Sequence, residues 1–182
     1  MLDIKTTEDL INYLNTGHQV KYVFFWGHQT AKSKVTKSCF SQWYEAPFKV
    51  GNKRFMTAEH YMMYQKAVLF EDHSAANQIL SADKPGKVKA IGRQVKGFDQ
   101  TIWERECFSI VVEGNLAKFN SNQELKKFIV GTGDRVLVEA SPVDKIWGIG
   151  LSQDDPKCED PNLWRGKNLL GFALMEVRNQ LI

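Results

Sequence analysis

The central element of the predicted fold is the segment Thr57-Ala58-Glu59-His60-Tyr61-Met62-Met63-Tyr64-Gln65-Lys66, continuing to Phe70. Threonine is a frequent N-cap residue, and neither proline nor glycine interrupts the segment that follows, so the pattern predicts a helix over residues 58–70. Most side chains of this segment are apolar or aromatic, which predicts that the helix is largely buried. Other elements must therefore pack around it.

Further helices and a few short strands are predicted on both sides of this segment. The predicted helices cover residues 7–17, 73–80, 85–92, 99–119, a segment after the capping box at 121–124, and 169–181. The predicted strands cover residues 20–26, 136–138 and a hairpin of 48–50 with 53–55, while 27–38 and 154–168 are predicted polar loops. Because no repeat or linker interrupts the pattern, we expect a single, mostly helical α+β domain over residues 1–182.

Composition narrows the class of protein. The chain has 182 residues with 43% hydrophobic and 25% charged residues, which is typical of one globular domain, and its net charge of +3 does not indicate a dedicated nucleic-acid binder. The sequence contains no run of 18 apolar residues, so no membrane span is predicted. The three cysteines, Cys39, Cys107 and Cys158, are too widely spaced for a zinc knuckle and predict a reducing compartment. We therefore expect an intracellular, cytoplasmic protein, with a nuclear location open for a eukaryotic source.

Several common catalytic motifs are absent from the sequence. It contains no P-loop, no Gly-x-Ser-x-Gly nucleophile elbow and no His-Glu-x-x-His zinc motif, and its four histidines do not cluster. Neither a metal nor a cofactor is expected.

Glu59 and Lys66 are the first candidates for chemistry. They stand seven residues apart, and Met62 or Met63 lies between them on the same face of the predicted helix. Glu and Lys are usually exposed, but the neighbours of these two residues are mostly apolar. Two interpretations of Glu59 and Lys66 are therefore about equally supported: solvated surface charges, or buried groups with shifted pKa values. The second interpretation makes both residues catalytic candidates.

A second candidate is the segment Glu139-Ala140-Ser141-Pro142-Val143-Asp144-Lys145-Ile146-Trp147-Gly148-Ile149-Gly150. It follows a predicted strand, a position where functional side chains are common. Gly148 and Gly150 would let backbone N–H groups approach a ligand closely. The alternative is that Asp144 caps a turn and Trp147 packs in the core.

These segments resemble the NADAR family, which includes the YbiA-like N-glycosidases. The resemblance is carried by Phe25-Trp26-Gly27, residues 39–44, residues 57–66, Gly92-Arg93, Trp103, residues 114–119, residues 144–148 and residues 166–171. The segments run in family order from about residue 20 to the C-terminus, and residues 1–19 lie outside the resemblance.

The resemblance implies hydrolysis of a bond between ribose and the exocyclic nitrogen of a guanine-like base. The expected reaction removes ADP-ribose from ADP-ribosylated guanine in nucleic acid or nucleoside. The alternative substrates are the ribosylamino-pyrimidinone intermediates of the riboflavin pathway. Two mechanisms fit such a bond: attack by a lysine to form a Schiff base, or direct hydrolysis by two carboxylates.

The resemblance implies functional weight at Glu59, Trp103 and Asp144. Glu59 would be the general acid and base, and Asp144 a second carboxylate that orients a ribose hydroxyl or water. Lys66 would be the Schiff-base nucleophile, or a cation that keeps Glu59 ionised.

The remaining predicted site residues would bind the substrate. They are Trp26, Gly27, Phe40, Trp43, Arg93, Trp103, Lys118, Trp147 and Gly148. The four tryptophans are candidates for stacking walls or pocket packing. Arg93 and Lys118 are candidates for phosphate contacts, which an ADP-ribose-bearing or ribosyl-phosphate substrate requires.

Three other functions compete with this prediction. A non-catalytic ADP-ribose-binding module would need the pocket but neither Glu59 nor Asp144. A nucleic-acid-binding domain would use the basic loop containing Lys32, Lys34 and Lys37, which could also help an N-glycosidase to dock DNA or RNA carrying modified guanine. The third is a plain helical scaffold. The sequence leaves the oligomeric state open.

Overall fold

The computed structural model describes residues 3–29 and 34–182, and within them the chain forms seven α-helices and four short strands. The helices are α1 (Thr7–Asn15), α2 (Ala58–Leu69), α3 (His73–Ser81), α4 (Pro85–Gly92), α5 (Gln100–Asn120), α6 (Gln123–Val130) and α7 (Leu169–Leu181). The strands are β1 (Tyr22–Phe25), β2 (Phe48–Val50), β3 (Lys53–Phe55) and β4 (Val136–Glu139). The predicted α+β, mostly helical fold is confirmed. In the described part of the chain, no helix is long and apolar enough to span a membrane.

The predicted polar loop over residues 154–168 needs a correction, because it contains two short 3₁₀ helices, Pro156–Glu159 and Pro161–Leu163. Each helix follows an aspartate, Asp155 or Asp160. The side chain of that aspartate accepts a hydrogen bond from the amide two residues later, at 2.9 Å and 3.0 Å. Aspartate followed by proline therefore starts a helical turn in a segment where composition alone indicates a loop.

The chain divides into two compact units. Unit 1 comprises Met1–Ser41 and Glu124–Ile182, of which residues 3–29, 34–41 and 124–182 are described. Unit 2 comprises Gln42–Gln123.

Unit 1 is organised around two parallel strands. Tyr22 of β1 lies opposite Val136 of β4, and the pairing ends at Phe25 opposite Glu139. Helix α7 packs against β4. Because the strands are parallel, their carboxyl ends lie at the same edge of the sheet, and the segments that follow β1 and β4 both begin there.

Unit 2 is organised around α2, which packs against α3, α4 and α5. The hairpin of β2 and β3, whose predicted bounds are confirmed, adds Phe48 and Phe55 to an aromatic cluster with Tyr61 of α2. Gly114 of α5 faces the Tyr61 ring, and a Cβ atom there would lie 2.5 Å from a ring carbon. Glycine at this position lets the ring pack directly on the α5 backbone.

The outer edge of β4 is paired by a side chain. Asn168, fully buried at the start of α7, donates from Nδ2 to the Leu137 carbonyl and accepts at Oδ1 from the Glu139 amide, both at 3.0 Å. Its φ angle is +52°, in the left-handed region where asparagine is one of the few well-tolerated side chains. Asn168 therefore satisfies backbone groups that a third strand would otherwise pair.

Asn168→Ala is expected to destabilise the fold, because it leaves the Leu137 carbonyl and the Glu139 amide without their partner. Each unsatisfied buried group costs about 1–3 kcal/mol. We expect the free energy of unfolding, measured by urea denaturation, to fall by about 2 kcal/mol or more. Asn77→Ala, at an exposed position of α3, is the control. Equal stability of the two variants would contradict this role of Asn168.

Candidate active site

Glu59 lies in the first turn of α2. Thr57 is the N-cap residue of this helix, and its side chain accepts a hydrogen bond from the His60 amide. The Glu59 amide donates to the Gln42 carbonyl at 2.9 Å. The Glu59 residue is only 3% exposed, so its interpretation as a solvated surface charge is wrong. The first turn of a helix is a favourable position for an acidic side chain.

His60, the neighbour of Glu59, has a structural role, because both of its ring nitrogens are hydrogen-bonded within the protein. Its Nε2 lies 3.2 Å from the Ala82 carbonyl, which can only accept, so Nε2 carries the proton. Its Nδ1 lies 2.8 Å from Thr57 Oγ1 and therefore accepts from that hydroxyl. Burial lowers the pKa of His60, in agreement with a neutral ring. His60 thus anchors the first turn of α2.

Two buried residues that sequence reasoning missed, Gln42 and Asn115, support this turn. Asn115 of α5 donates from Nδ2 to Gln42 Oε1 at 2.7 Å and to the Val111 carbonyl at 2.9 Å. The Gln42 amide group also contacts Met62 Sδ at 3.7 Å, one turn after Glu59. Both residues stand inside the motifs quoted above, and polar residues inside otherwise aromatic or apolar motifs are the signal that could have found them.

Lys66 lies at the far end of α2, about 10 Å along the helix axis from Glu59. Its Nζ donates to the Gly92 carbonyl at 2.9 Å and lies 4.1 Å and 5.5 Å from the ring centroids of Phe98 and Trp103. Burial lowers the pKa of Lys66. Within residues 3–29 and 34–182, no carboxylate lies within 4.0 Å of this amine. Lys66 therefore forms no ion pair with Glu59, and its role as a cation that keeps Glu59 ionised stays a prediction.

Three predicted substrate-binding residues also lie in unit 2. Trp103, half-buried, is one of the two aromatic neighbours of Lys66 described above, and Arg93 is exposed directly after Gly92. Trp43 is half-buried, with Lys89 Nζ 5.9 Å from its ring centroid. The structure therefore brings Lys66 and Trp103 together, with Arg93 beside the carbonyl that Lys66 binds.

Lys118 requires a correction. It is only 1% exposed, and its Nζ lies 5.6 Å from the Tyr44 ring centroid and 5.2 Å from that of Phe119. A cation enclosed by protein in this way cannot contact a phosphate at the surface.

Asp144, in unit 1, organises the segment that follows β4. Its Oδ1 accepts hydrogen bonds from the amides of Ile146 at 2.9 Å and Trp147 at 2.8 Å. Asp144 therefore caps a turn, as one of the two sequence interpretations states. No hydrogen bond to another described residue involves its Oδ2, so that oxygen is available as an acceptor. Trp147 is half-buried and does not fill the core.

Gly148 and Gly150 allow this segment to pack closely against its own backbone and its neighbours. A Cβ atom on Gly148 would lie 2.9 Å from the Glu139 carbonyl oxygen, and the Gly150 amide donates to the Asp144 carbonyl at 3.0 Å. The prediction that the Gly150 amide approaches a ligand is corrected accordingly, because that amide is bonded within the chain; for the Gly148 amide it stays a prediction.

The other predicted residues of unit 1 follow β1. Trp26 comes directly after this strand, is 60% exposed and precedes Gly27, whose φ angle is +83°. Trp26 and the segment containing Asp144 thus leave the same edge of the sheet. Phe40 needs a correction, because it is fully buried with Phe25 and Phe128, at centroid distances of 5.4 Å and 5.5 Å, and is a core residue.

The basic loop of the competing nucleic-acid interpretation is partly described. Lys32 lies outside the described residues, and Lys34 is exposed. Lys37 donates to Gln153 Oε1 at 2.9 Å.

An open groove of about 380 Å³ is lined by Tyr22, Val23, Phe24, Lys37, Arg135, Gln153 and Glu159. None of these seven residues belongs to the predicted site. Over residues 3–29 and 34–182, no group of three His, Cys, Asp or Glu side chains is placed to hold a metal.

Known proteins resemble this chain in sequence and fold. Residues 24–182 match the family model of the NADAR domain. The N-glycosidase R617 of Acanthamoeba polyphaga mimivirus is 44% identical over 165 residues, 88% of this chain and 96% of that protein. The N-glycosidase YbiA of Escherichia coli K12 is 31% identical over 144 residues, 79% of each protein. The NMR structure of E. coli YbiA has a TM-score of 0.71 and 27% identity, covering 90% of this chain and 86% of that one.

The fold and these relatives define the class: an N-glycosidase, a hydrolase acting on N-glycosyl bonds. Within that class, the chain belongs to the NADAR domain family. The resemblance recognised in the sequence and the predicted reaction class are both confirmed.

Asp144→Asn separates the turn-capping role of Asp144 from a role of its charge. An asparagine Oδ1 can accept the same two amides, so we expect a normal melting temperature. We expect turnover of an N-glycosidic substrate to fall at least about 100-fold, the scale of an acid or base group. The control is Asp154→Ala, at an exposed position. Full activity of a folded Asp144→Asn enzyme would limit Asp144 to capping the turn.

Proposed function

We propose that the chain hydrolyses the bond between ribose and the exocyclic nitrogen of a guanine-like base, and removes ADP-ribose from ADP-ribosylated guanine in nucleic acid or nucleoside. The observation that carries this proposal is the buried carboxylate of Glu59, held by α2 and Gln42. Cleaving a glycosyl bond to nitrogen requires a proton for the leaving nitrogen, and a carboxyl group in a water-poor site supplies one.

Glu59 acts first as the general acid in this mechanism. It protonates the exocyclic nitrogen as the bond to the ribose C1′ weakens, and the guanine-like base leaves as a neutral amine. The resulting carboxylate then accepts a proton from the water that attacks the sugar, which restores the acid. The backbone anchor from Gln42 limits movement of the first turn of α2 between these two steps.

Asp144 supplies the second carboxylate. Its Oδ1 is held by two amides, which fixes the orientation of the carboxyl plane. Its Oδ2 accepts a hydrogen bond from a ribose hydroxyl or from the attacking water. In the direct mechanism, this negative charge also stabilises the positive charge that develops on the sugar.

Lys66 supplies the alternative nucleophile. A ribosylated amine can open its furanose ring to an imine, and the neutral Lys66 amine can add to C1′ and expel the base as a free amine. The lysine Schiff base that remains is hydrolysed by water, which releases the open-chain sugar and restores the lysine. Burial lowers the Lys66 pKa and so raises the fraction of neutral amine that this route needs.

The ribosylamino-pyrimidinones of the riboflavin pathway contain the same kind of bond and are the competing substrates. Parallel assays of ADP-ribosyl-guanosine, ADP-ribosylated DNA and RNA, and a ribosylamino-pyrimidinone 5′-phosphate compare these classes directly. A higher kcat/KM for the pyrimidinone would overturn the ADP-ribose assignment. Binding of ADP-ribose without turnover of any substrate would instead identify a non-catalytic module.

Glu59→Gln should reduce turnover of ADP-ribosyl-guanosine at least about 100-fold, because the amide keeps the volume of the side chain but cannot transfer a proton. KM and the melting temperature should stay near those of the wild type. Glu71→Gln, at an exposed position just after α2, is the control for removal of one negative charge. Comparable kcat values for the two variants would remove Glu59 from the catalytic role.

Sodium borohydride added during turnover should trap the sugar covalently on Lys66, detectable by mass spectrometry of the peptide. Lys66→Arg should abolish both trapping and hydrolysis, because a guanidinium group is not a usable nucleophile. The rate should rise with pH through a pKa below the ordinary lysine value of 10.5, as the amine loses its proton. A wild-type enzyme that turns over without trapping would support the direct two-carboxylate mechanism.

A further inference from the structure

Three basic residues are held together where two backbone segments of unit 1 run side by side. The Lys167 amide donates to the Lys145 carbonyl at 3.0 Å, and the Arg165 amide donates to the Ile149 carbonyl at 2.9 Å. A Cβ atom on Gly166 would lie 2.7 Å from Lys145 Cα, so the two backbones are in direct contact. Lys145, Arg165 and Lys167 are therefore neighbours because of backbone pairing.

The side chains of this cluster also begin close together. A Cβ atom on Gly150 would lie 2.9 Å from Arg165 Cβ and 3.3 Å from Lys145 Cγ. The stems of Lys145 and Arg165 thus both lie against Gly150. All three basic residues are exposed.

None of the three cationic side chains of this cluster forms an ion pair within the described chain. The three ion pairs found among residues 3–29 and 34–182 involve other side chains, and no carboxylate lies within 4.0 Å of the charged groups of Lys145, Arg165 or Lys167. Like charges held close together repel one another, and a bound anion relieves that repulsion. The cluster is consequently suited to an anion with several oxygen atoms.

The surroundings of the cluster indicate which anion it suits. Asp144 directly precedes Lys145, and the exposed apolar side chains of Val143 (82%) and Ile146 (51%) flank the same segment. Trp26, 60% exposed, leaves the same edge of the sheet. Cations beside exposed apolar and aromatic side chains are the combination that binds nucleotides, whose phosphates and bases meet the two kinds of group.

We propose that Lys145, Arg165 and Lys167 form a phosphate subsite that holds phosphate groups of the substrate beside Asp144. The identification of the anion as a substrate phosphate rests on the proposed function. The subsite takes the role that the sequence assigned to Lys118, which is buried. Its phosphates belong either to the ADP-ribose group or to the backbone of a nucleic-acid strand.

Replacing all three cations in the variant Lys145→Ala/Arg165→Ala/Lys167→Ala tests the subsite. The pairing of the two segments uses backbone atoms, so the variant should fold, which its melting temperature will show. One probe is free ADP-ribose, titrated by calorimetry. The other is an unmodified single-stranded DNA 12-mer, titrated by fluorescence anisotropy at several KCl concentrations. We expect at least about tenfold weaker binding of one probe, and for DNA a smaller dependence on salt, by about 0.7 in slope per lost contact.

The matched control is Lys49→Ala/Arg54→Ala/Lys87→Ala, which removes two lysines and one arginine from exposed positions of unit 2. If the test variant but not the control binds ADP-ribose more weakly, and DNA binding is unchanged, the subsite is assigned to the ADP-ribose phosphates. Weaker DNA binding alone assigns it to the strand backbone. Equal affinities of test and control variants for both probes overturn the proposal. If the first variant does not fold, Arg165→Gln/Lys167→Gln undergoes the same comparison.

The outcome is separable from that of the proposed function. Neither titration requires catalysis, so the subsite is tested even if no sugar is released. A wild-type enzyme that binds ADP-ribose through these cations but leaves ADP-ribosyl-guanosine intact would overturn the proposed function and keep the subsite.

Discussion

The hydrogen bond from the Glu59 amide to the Gln42 carbonyl joins the turn that holds the buried Glu59 carboxylate to the rest of unit 2. The first turn of any helix exposes amides without partners inside the helix, and burying such a turn is favourable only when other groups accept from them. Gln42 and Thr57 provide these acceptors, and Asn115 holds the Gln42 side chain. A carboxylate can then be buried at this turn without leaving its backbone unsatisfied.

In unit 1, backbone groups of β4 likewise need hydrogen-bond partners. A two-stranded parallel sheet leaves backbone groups of each strand unpaired, and here Asn168 takes the place of a neighbouring strand. Ile149 adds a further bond to the Glu139 carbonyl at 2.9 Å. The segment with Asp144 is thereby fixed at the end of β4, where Asp144 Oδ1 organises the turn. The position of Asp144 therefore depends on the same contacts that complete the sheet.

Lysine side chains of this protein occupy very different environments. Lys118 is enclosed among aromatic rings, Lys66 is half-buried with its amine on a carbonyl, and Lys145 is exposed beside two other cations. Their chemistry differs accordingly: desolvation favours the neutral amine that can attack carbon, while exposed clustered ammonium groups favour anions. A count of basic residues, or a net charge of +3, conceals this distribution.

Local patterns of caps, turns and periodic apolar residues predicted the helices and the hairpin, because such signals act over a few positions. The family and the reaction class came instead from the resemblance of the quoted motifs to the NADAR family. The sequence also identified Glu59 and Asp144 as candidates, because each lies in a motif of that resemblance. The contact between Gln42 and Asn115, 73 positions apart, which supports the turn of Glu59, became visible in the folded structure alone. The folded structure likewise decided that Phe40 belongs to the core. Burial and side-chain partners arise from packing between segments distant in the chain, and local patterns contain no information about which segments meet.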